Sequence, residues 1–99
     1  MVIEKKPFTM AILGKPYKVD FAGEFDLQGT LGAANRALQV IRVLNTSGDE
    51  QVEDTLLHEV LHIIDKELVI GLEEADVARL AVGLHSAGYR YEGQRYDRS

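Results

Sequence analysis

Two histidines and a glutamate in the second half of the chain, His58, Glu59 and His62, form the pattern H-E-x-x-H. Residues four positions apart on a helix leave the same face, so both imidazoles can reach one metal ion at about 2 Å each. Glu59 points around the helix from that face and need not bind the metal. It can instead accept a proton from a water that the metal activates. The pattern therefore predicts a zinc site with His58 and His62 as ligands and Glu59 as the catalytic base.

A catalytic zinc ion also needs a third protein ligand and one open position. The chain has no cysteine that could be this ligand. Its third histidine, His85, lies about 16 Å along the predicted second helix from the carboxylates at the start of that helix, which is too far for it to bind the same ion. Those carboxylates, Glu73 and Glu74, follow His62 by eleven and twelve residues. Helical periodicity does not separate the two. One of them is the predicted third ligand.

Two aspartates are candidates for orienting the ligand histidines. A zinc-bound imidazole usually donates its second N–H to a carboxylate or a carbonyl. Asp65 follows His62 by three residues and Asp54 precedes His58 by four, so each shares a helical face with a ligand. The alternative interpretation for each aspartate is a solvated surface acid.

Two helices are predicted to carry these residues. The segment Ser47-Gly48-Asp49-Glu50 fits an S-x-x-E capping box before an apolar run, which predicts the helix with the two histidines over residues 47–68. A second helix, with an acidic first turn, is predicted over residues 73–87, and residues 88–99 form a tail. The apolar stripe of the second helix consists of Val77, Leu80, Ala81 and Leu84.

Residues 1–46 are predicted to form mainly strands and loops. The apolar segment 8–13 and the alternating segment 17–21 flank a turn at Gly14-Lys15-Pro16, which predicts a hairpin. The β-branched segment 39–44 predicts another strand. A short helix over residues 31–44 is the alternative, because this segment also contains helix-forming alanines. The elements together predict one α+β domain over residues 1–99.

Length and charge limit the classes of protein to which the chain can belong. Ninety-nine residues suffice for one domain with a modest core. The net charge of −5 at pH 7 does not favour a nucleic-acid partner. The apolar runs are too short to cross a bilayer, and the N-terminus does not resemble a secretory signal, so no membrane association is expected. The absence of cysteine suits a reducing cytosol.

The segment 55–84, TLLHEVLHIIDKELVIGLEEADVARLAVGL, resembles short metallopeptidase-like sequences that are common in phages and bacteria. These are similar to the ImmA/IrrE-type and minigluzincin domains of the gluzincin branch of zincins. The resemblance implies a minimal zincin-like fold, in which a small twisted sheet packs on the active-site helix and a second helix brings a glutamate ligand. It also implies hydrolysis of peptide bonds with Zn²⁺ as cofactor, in the cytoplasm of a bacterium or of a phage-infected host.

The resemblance also implies roles for particular residues. The segment Glu74-Ala75-Asp76 is similar to a Glu-Ala-Asn segment of ImmA-type sequences, which implies Glu74 rather than Glu73 as the third ligand. In zincins, the edge strand beside the active-site helix binds an extended peptide by adding it to the sheet. The strand before the active-site helix is therefore the expected substrate edge, and its residues are Gln39, Val40, Ile41, Arg42 and Val43.

The chain departs from the gluzincin pattern at two points. Ala78 stands where that pattern has an aspartate beside a ligand histidine, which leaves this role to the two aspartates named above. The chain is also too short for the C-terminal lobe that supplies an oxyanion-stabilising histidine or tyrosine in large gluzincins. Tyr89 and Tyr91 are the candidates for that role.

Two functions are compatible with these residues. The first is a zinc endopeptidase that acts on a peptide or protein substrate. The alternative is a non-catalytic zinc-binding interaction module derived from a peptidase fold. The small size of the chain favours the module, because it leaves little room for a substrate cleft. Glu59 favours the enzyme, because a purely structural metal site has no use for a base beside its ligands. We therefore expect a peptidase.

Overall fold

A four-stranded mixed sheet and two long helices form the structure, a computed structural model that describes residues 5–88. The strands are β1 (Phe8–Ile12), β2 (Lys15–Ala22), β3 (Gly32–Asn35) and β4 (Val40–Leu44). The helices are the single turn α1 (Glu24–Leu27) and the longer α2 (Asp49–Leu68) and α3 (Glu74–Ser86). The predicted α+β class is confirmed.

The order of strands in the sheet is β1-β2-β4-β3. The strands β1 and β2 form the predicted antiparallel hairpin, and β4 pairs parallel with β2 and antiparallel with β3. Because β4 is hydrogen-bonded on both sides, its segment is not at an edge of the sheet. The prediction of an edge strand was therefore wrong for Gln39, which lies in the turn before β4, and for Val40, Ile41, Arg42 and Val43.

The edge strand next to β4 is β3. The residues of β3 do not by themselves predict a strand. Its sequence is Gly-Ala-Ala-Asn, and these residue types have low β-propensity. The strand forms because β4 provides a partner, with Ala34 opposite Ile41 and Gly32 opposite Val43. Residues 31–44 therefore contain two paired strands rather than the short helix that the sequence also allowed.

One face of the sheet is buried against α2. Alternate residues of β2 and β4 are buried on this face, namely Tyr17, Val19, Ile41 and Val43. Their neighbours Lys18 and Arg42 point to the opposite, exposed face. The helix contributes Val52, Leu56 and Ile63 to the same core. Burial of this apolar surface holds the helix with the two histidines at a defined position on the sheet.

The two long helices begin by different means. Gly48 is the N-cap of α2 and no side chain caps this helix, so the capping box predicted at Ser47 is wrong and α2 begins at Asp49. In α3 a capping box is present. The side chain of Glu73 accepts the N–H of Asp76, and the carboxylate of Asp76 accepts the N–H of Glu73. The start of α3 is therefore well defined.

The helix α3 packs against α2. Val77 and Ala81, one turn apart, are fully buried, whereas Leu80 is 44% exposed, so the buried stripe is narrower than predicted. Among residues 5–88, no helix is long and apolar enough to cross a membrane. The predicted tail beyond Gly88, which includes Tyr89 and Tyr91, lies outside the described residues.

Gly32 marks a close approach of β3 to α2. A Cβ atom at this position would lie 2.6 Å from Cγ2 of Thr55 and 3.0 Å from the backbone oxygen of Arg42. Thr55 is buried, and its β-branched side chain has little rotameric freedom in a helix. The strand can therefore reach this position only because residue 32 has no side chain.

Replacement of Gly32 by alanine is expected to lower the free energy of unfolding by about 1–3 kcal/mol, because the added methyl group forces β3 and α2 apart. Urea denaturation measures the change. Thr55→Ser in the same background is expected to recover part of the loss, since it removes Cγ2. As a control, Gly83→Ala in α3 adds a Cβ that meets nothing within 4 Å and should stabilise by about 0.5–1 kcal/mol. Equal stability of Gly32→Ala and the wild type would contradict this account.

Candidate metal centre

The helices α2 and α3 bring two histidines and one glutamate together. His58 and His62 lie one turn apart on α2, and Glu74 is the first residue of α3. The distance from Glu74 Oε1 to His58 Nε2 is 2.6 Å, and that from Glu74 Oε2 to His62 Nε2 is 2.8 Å. The two Nε2 atoms are 3.1 Å apart. The three side chains thus direct ligand atoms to one point.

The spacing of these atoms is close to that of zinc ligands. Ligand atoms about 2 Å from a tetrahedral ion stand about 3.3 Å apart, so a small outward shift of the side chains would accommodate the ion. Hydrogen bonds alone satisfy the group poorly. If both Nε2 atoms carry protons that they donate to Glu74, two N–H groups face each other across 3.1 Å. A cation removes this conflict by accepting lone pairs from all three side chains, so the residues present fit a zinc ion.

The two neighbouring glutamates at the start of α3 have different roles. Glu73 is the N-cap, and its side chain binds a backbone N–H of its own helix. Glu74 is the residue that contacts both histidines. The side chain of Glu74 is 69% exposed, and those of His58 and His62 are 23% and 27% exposed, so the group is accessible from solvent.

Glu59 lies beside the three residues without joining their hydrogen bonds. Burial raises the pKa of the Glu59 carboxyl above its ordinary value, while the nearby His62 and His58 act in the opposite direction and Glu74 adds to the rise. A carboxylate with a raised pKa is a stronger base. The side chain is therefore suited to accept a proton from a group bound next to the histidines.

A groove between β3 and α2 passes this group. One part, of about 330 Å³, is lined on the strand side by Thr30, Leu31 and Gly32 and on the helix side by Gln51, Asp54 and Thr55. The other part is lined by Ala34, Arg36, Ile63 and Lys66. Glu59 and His62 line both parts. A chain lying along β3 would therefore pass directly over Glu59 and His62.

Asp65 binds the connection between the two helices. Its backbone oxygen accepts the N–H groups of Val69 and Ile70, and its Oδ1 accepts those of Gly71 and Leu72 at 2.8 and 2.9 Å. The carboxylate is buried. One residue thus satisfies four successive amides of the segment that leads directly to the start of α3.

The two predicted orienting aspartates therefore act elsewhere. Among the described residues, neither Asp65 nor Asp54 is hydrogen-bonded to His58 or His62. Asp54 lines the groove, and Asp65 positions the residue that contacts the histidines by holding the connection. The sequence signal for this role is the turn at Gly71 after the helix, since short carboxylates bind exposed N–H groups in turns.

Comparison with protein family models, with curated proteins and with solved structures finds no match to this chain. The function of the chain is therefore inferred from the residues of the site.

Low pH is expected to remove the contribution of Asp65 to stability. The N–H of Leu72, and after it that of Gly71, holds the pKa of the Asp65 carboxyl below its ordinary value against the effect of burial. A carboxyl with a lowered folded pKa stabilises the fold above its unfolded pKa, about 3.9, and this contribution is lost as the pH falls through the folded pKa.

The measurement is the free energy of unfolding in urea from about pH 7 to pH 3, for the wild type and for Asp65→Asn, which keeps an oxygen acceptor without the charge. The wild type should be more stable above about pH 5, and the difference should shrink progressively as the pH falls below about 3.9 towards the folded pKa of Asp65. Asp26→Asn, at an exposed position in α1, controls for the change in net charge. A difference that stays constant over the whole range would be inconsistent with this role.

Proposed function

We propose that this chain is a zinc-dependent metallopeptidase that hydrolyses a peptide bond in the groove between β3 and α2. The observation that carries the proposal is the convergence of His58, His62 and Glu74, with Glu59 beside them at the wall of the groove. Two imidazoles and one carboxylate with an open fourth position are the ligand set of several catalytic zinc sites.

The chemistry divides between the ion and the chain. Zinc, when held by His58, His62 and Glu74, would supply a Lewis acid that polarises the scissile carbonyl and lowers the pKa of a water. Glu59 accepts the proton of the attacking water and passes it to the leaving amine. The exposure of the ligand side chains leaves the approach to this point open to a substrate.

The substrate is a peptide or a protein segment in extended conformation, bound along β3. Among the described residues no strand pairs with the outer edge of β3, and an edge strand can hydrogen-bond an added chain through its backbone. The strand β3 is thus the proposed substrate-binding edge, a role that the sequence assigned to residues 39–43. Gly32 presents no side chain at the point where β3 approaches Glu59.

The proposal extends to the fold class and the site of action. A small sheet packed on a helix with the H-E-x-x-H residues, followed by a helix that brings a glutamate, is the arrangement of a minimal zincin-like domain. The resemblance of the segment 55–84 to ImmA/IrrE-type and minigluzincin sequences supports the same assignment. We place the activity in the cytoplasm, which the cysteine-free composition suits.

Glu59→Gln is expected to keep its zinc and to lose peptidase activity by about 100-fold or more, because only the proton transfer is removed. Zinc content is measured by elemental analysis, and activity by release of fluorescent fragments from labelled casein and from a mixed peptide library. Asp49→Asn, which changes a carboxylate of the same helix outside the site, should match the wild type in both measurements.

The other outcomes are equally informative. Full activity in Glu59→Gln would refute the role of the base. Failure of the wild type to retain zinc after preparation with excess metal would refute the metal centre. A wild type that holds zinc but cleaves no substrate would favour the alternative function, a non-catalytic zinc-binding interaction module.

Glu74→Ala and Glu73→Ala should separate metal binding from helix capping. Loss of a ligand is expected to weaken the tightest zinc-binding event by at least about 100-fold in Glu74→Ala. Glu73→Ala should leave zinc affinity unchanged and lower stability by about 1 kcal/mol through loss of the N-cap. Competition with a fluorescent chelator measures affinity, and urea denaturation measures stability. Equal zinc affinity in both variants would rule out Glu74 as the third ligand.

A further inference from the structure

A second group of one histidine and two glutamates lies at the other end of α3. His85 Nε2 is 3.2 Å from Glu50 Oε2 and 3.7 Å from Glu53 Oε1. One ligand atom from each of the three residues lies within 4.8 Å of the other two. None of the three belongs to the proposed catalytic centre.

The packing of the two helices explains how this group forms. Glu50 and Glu53 are one turn apart near the start of α2, and His85 lies in the last turn of α3. Since Glu74 meets the middle of α2 and His85 meets its start, the two helices run antiparallel. Glu74 and His85 are separated by eleven residues, about 16 Å along the helix. The helix α3 therefore contacts α2 through a histidine–carboxylate group at each end.

The second group has the donors and the accessibility of a metal site. The side chains of His85 and Glu53 are 16% and 10% exposed, so the packing of the helices holds two of the donors in place. The side chain of Glu50 is 81% exposed and can adjust to an ion. An open cavity lined also by Asp54 leads to the group and provides a further carboxylate nearby. Imidazole nitrogen and carboxylate oxygen are both donors that zinc binds at about 2 Å.

We propose that Glu50, Glu53 and His85 form a second zinc site, which joins the start of α2 to the end of α3. Its role is structural, because a metal that binds only the folded state stabilises that state. The site also fixes the far end of the helix that delivers Glu74. The competing interpretation is an ion pair between a protonated His85 and the two glutamates, which requires no metal.

Zinc titration of His58→Ala/His62→Ala by isothermal calorimetry tests this site separately from the catalytic proposal, since this variant lacks the first pair of ligands. The wild type is expected to bind two equivalents of zinc and the double variant one. Addition of His85→Ala to the double variant should abolish the remaining equivalent. Addition of Asp49→Asn, in the same turn of α2 but outside the group, should leave it in place.

Thermal unfolding of the same samples gives a second readout. Saturating zinc should raise the Tm of the double variant and leave that of the triple variant with His85→Ala unchanged. If the double variant shows native helix content by circular dichroism and binds no zinc at about ten equivalents, the ion pair needs no metal and the proposal is overturned. If the double variant does not fold, the comparison is between the wild type and His85→Ala. Two equivalents against one support the site, and equal stoichiometry overturns it.

Discussion

Four successive backbone N–H groups between α2 and α3 find their acceptors on one residue, Asp65. Backbone N–H groups that follow the end of a helix lower the stability of the fold if they are shielded from water and have no hydrogen-bond acceptor. Because the backbone oxygen and the carboxylate of Asp65 satisfy all four, the chain turns back within a few residues. This turn sets the start of α3 opposite the middle of α2, which is the condition for Glu74 to reach His58 and His62.

The other wall of the groove depends on a second close contact. The edge strand β3 lies against α2 at Gly32, where an added Cβ would collide with Thr55. The strand β3 is stabilised by hydrogen bonds to β4. The strand β4 also pairs with β2 and contributes side chains to the core that packs against α2. The side chain of Glu59, the proposed base, thus extends from α2 towards β3 at the point where the absence of a side chain at Gly32 allows the two elements to approach.

The helix α3 has limited apolar contact, with only Val77 and Ala81 fully buried among its described residues. Histidine–carboxylate groups join it to α2 at both ends. In a chain of 99 residues, where the core is small, metal binding can supply stability that apolar burial does not. The proposed catalytic and structural ions would then act on the same helix, one through Glu74 and the other through His85.

The sequence alone determined the features that depend on local spacing. The helical repeat places His58 and His62 on one face, and the alternation of apolar residues predicts the β1–β2 hairpin, so the α+β class follows from the sequence. The sequence did not determine which strand is the edge, because β3 exists only through its pairing with β4. Periodicity also left Glu73 and Glu74 equivalent, and only a resemblance favoured Glu74. The tertiary structure separated their roles, because the turn held by Asp65 sets the rotation at which α3 meets α2.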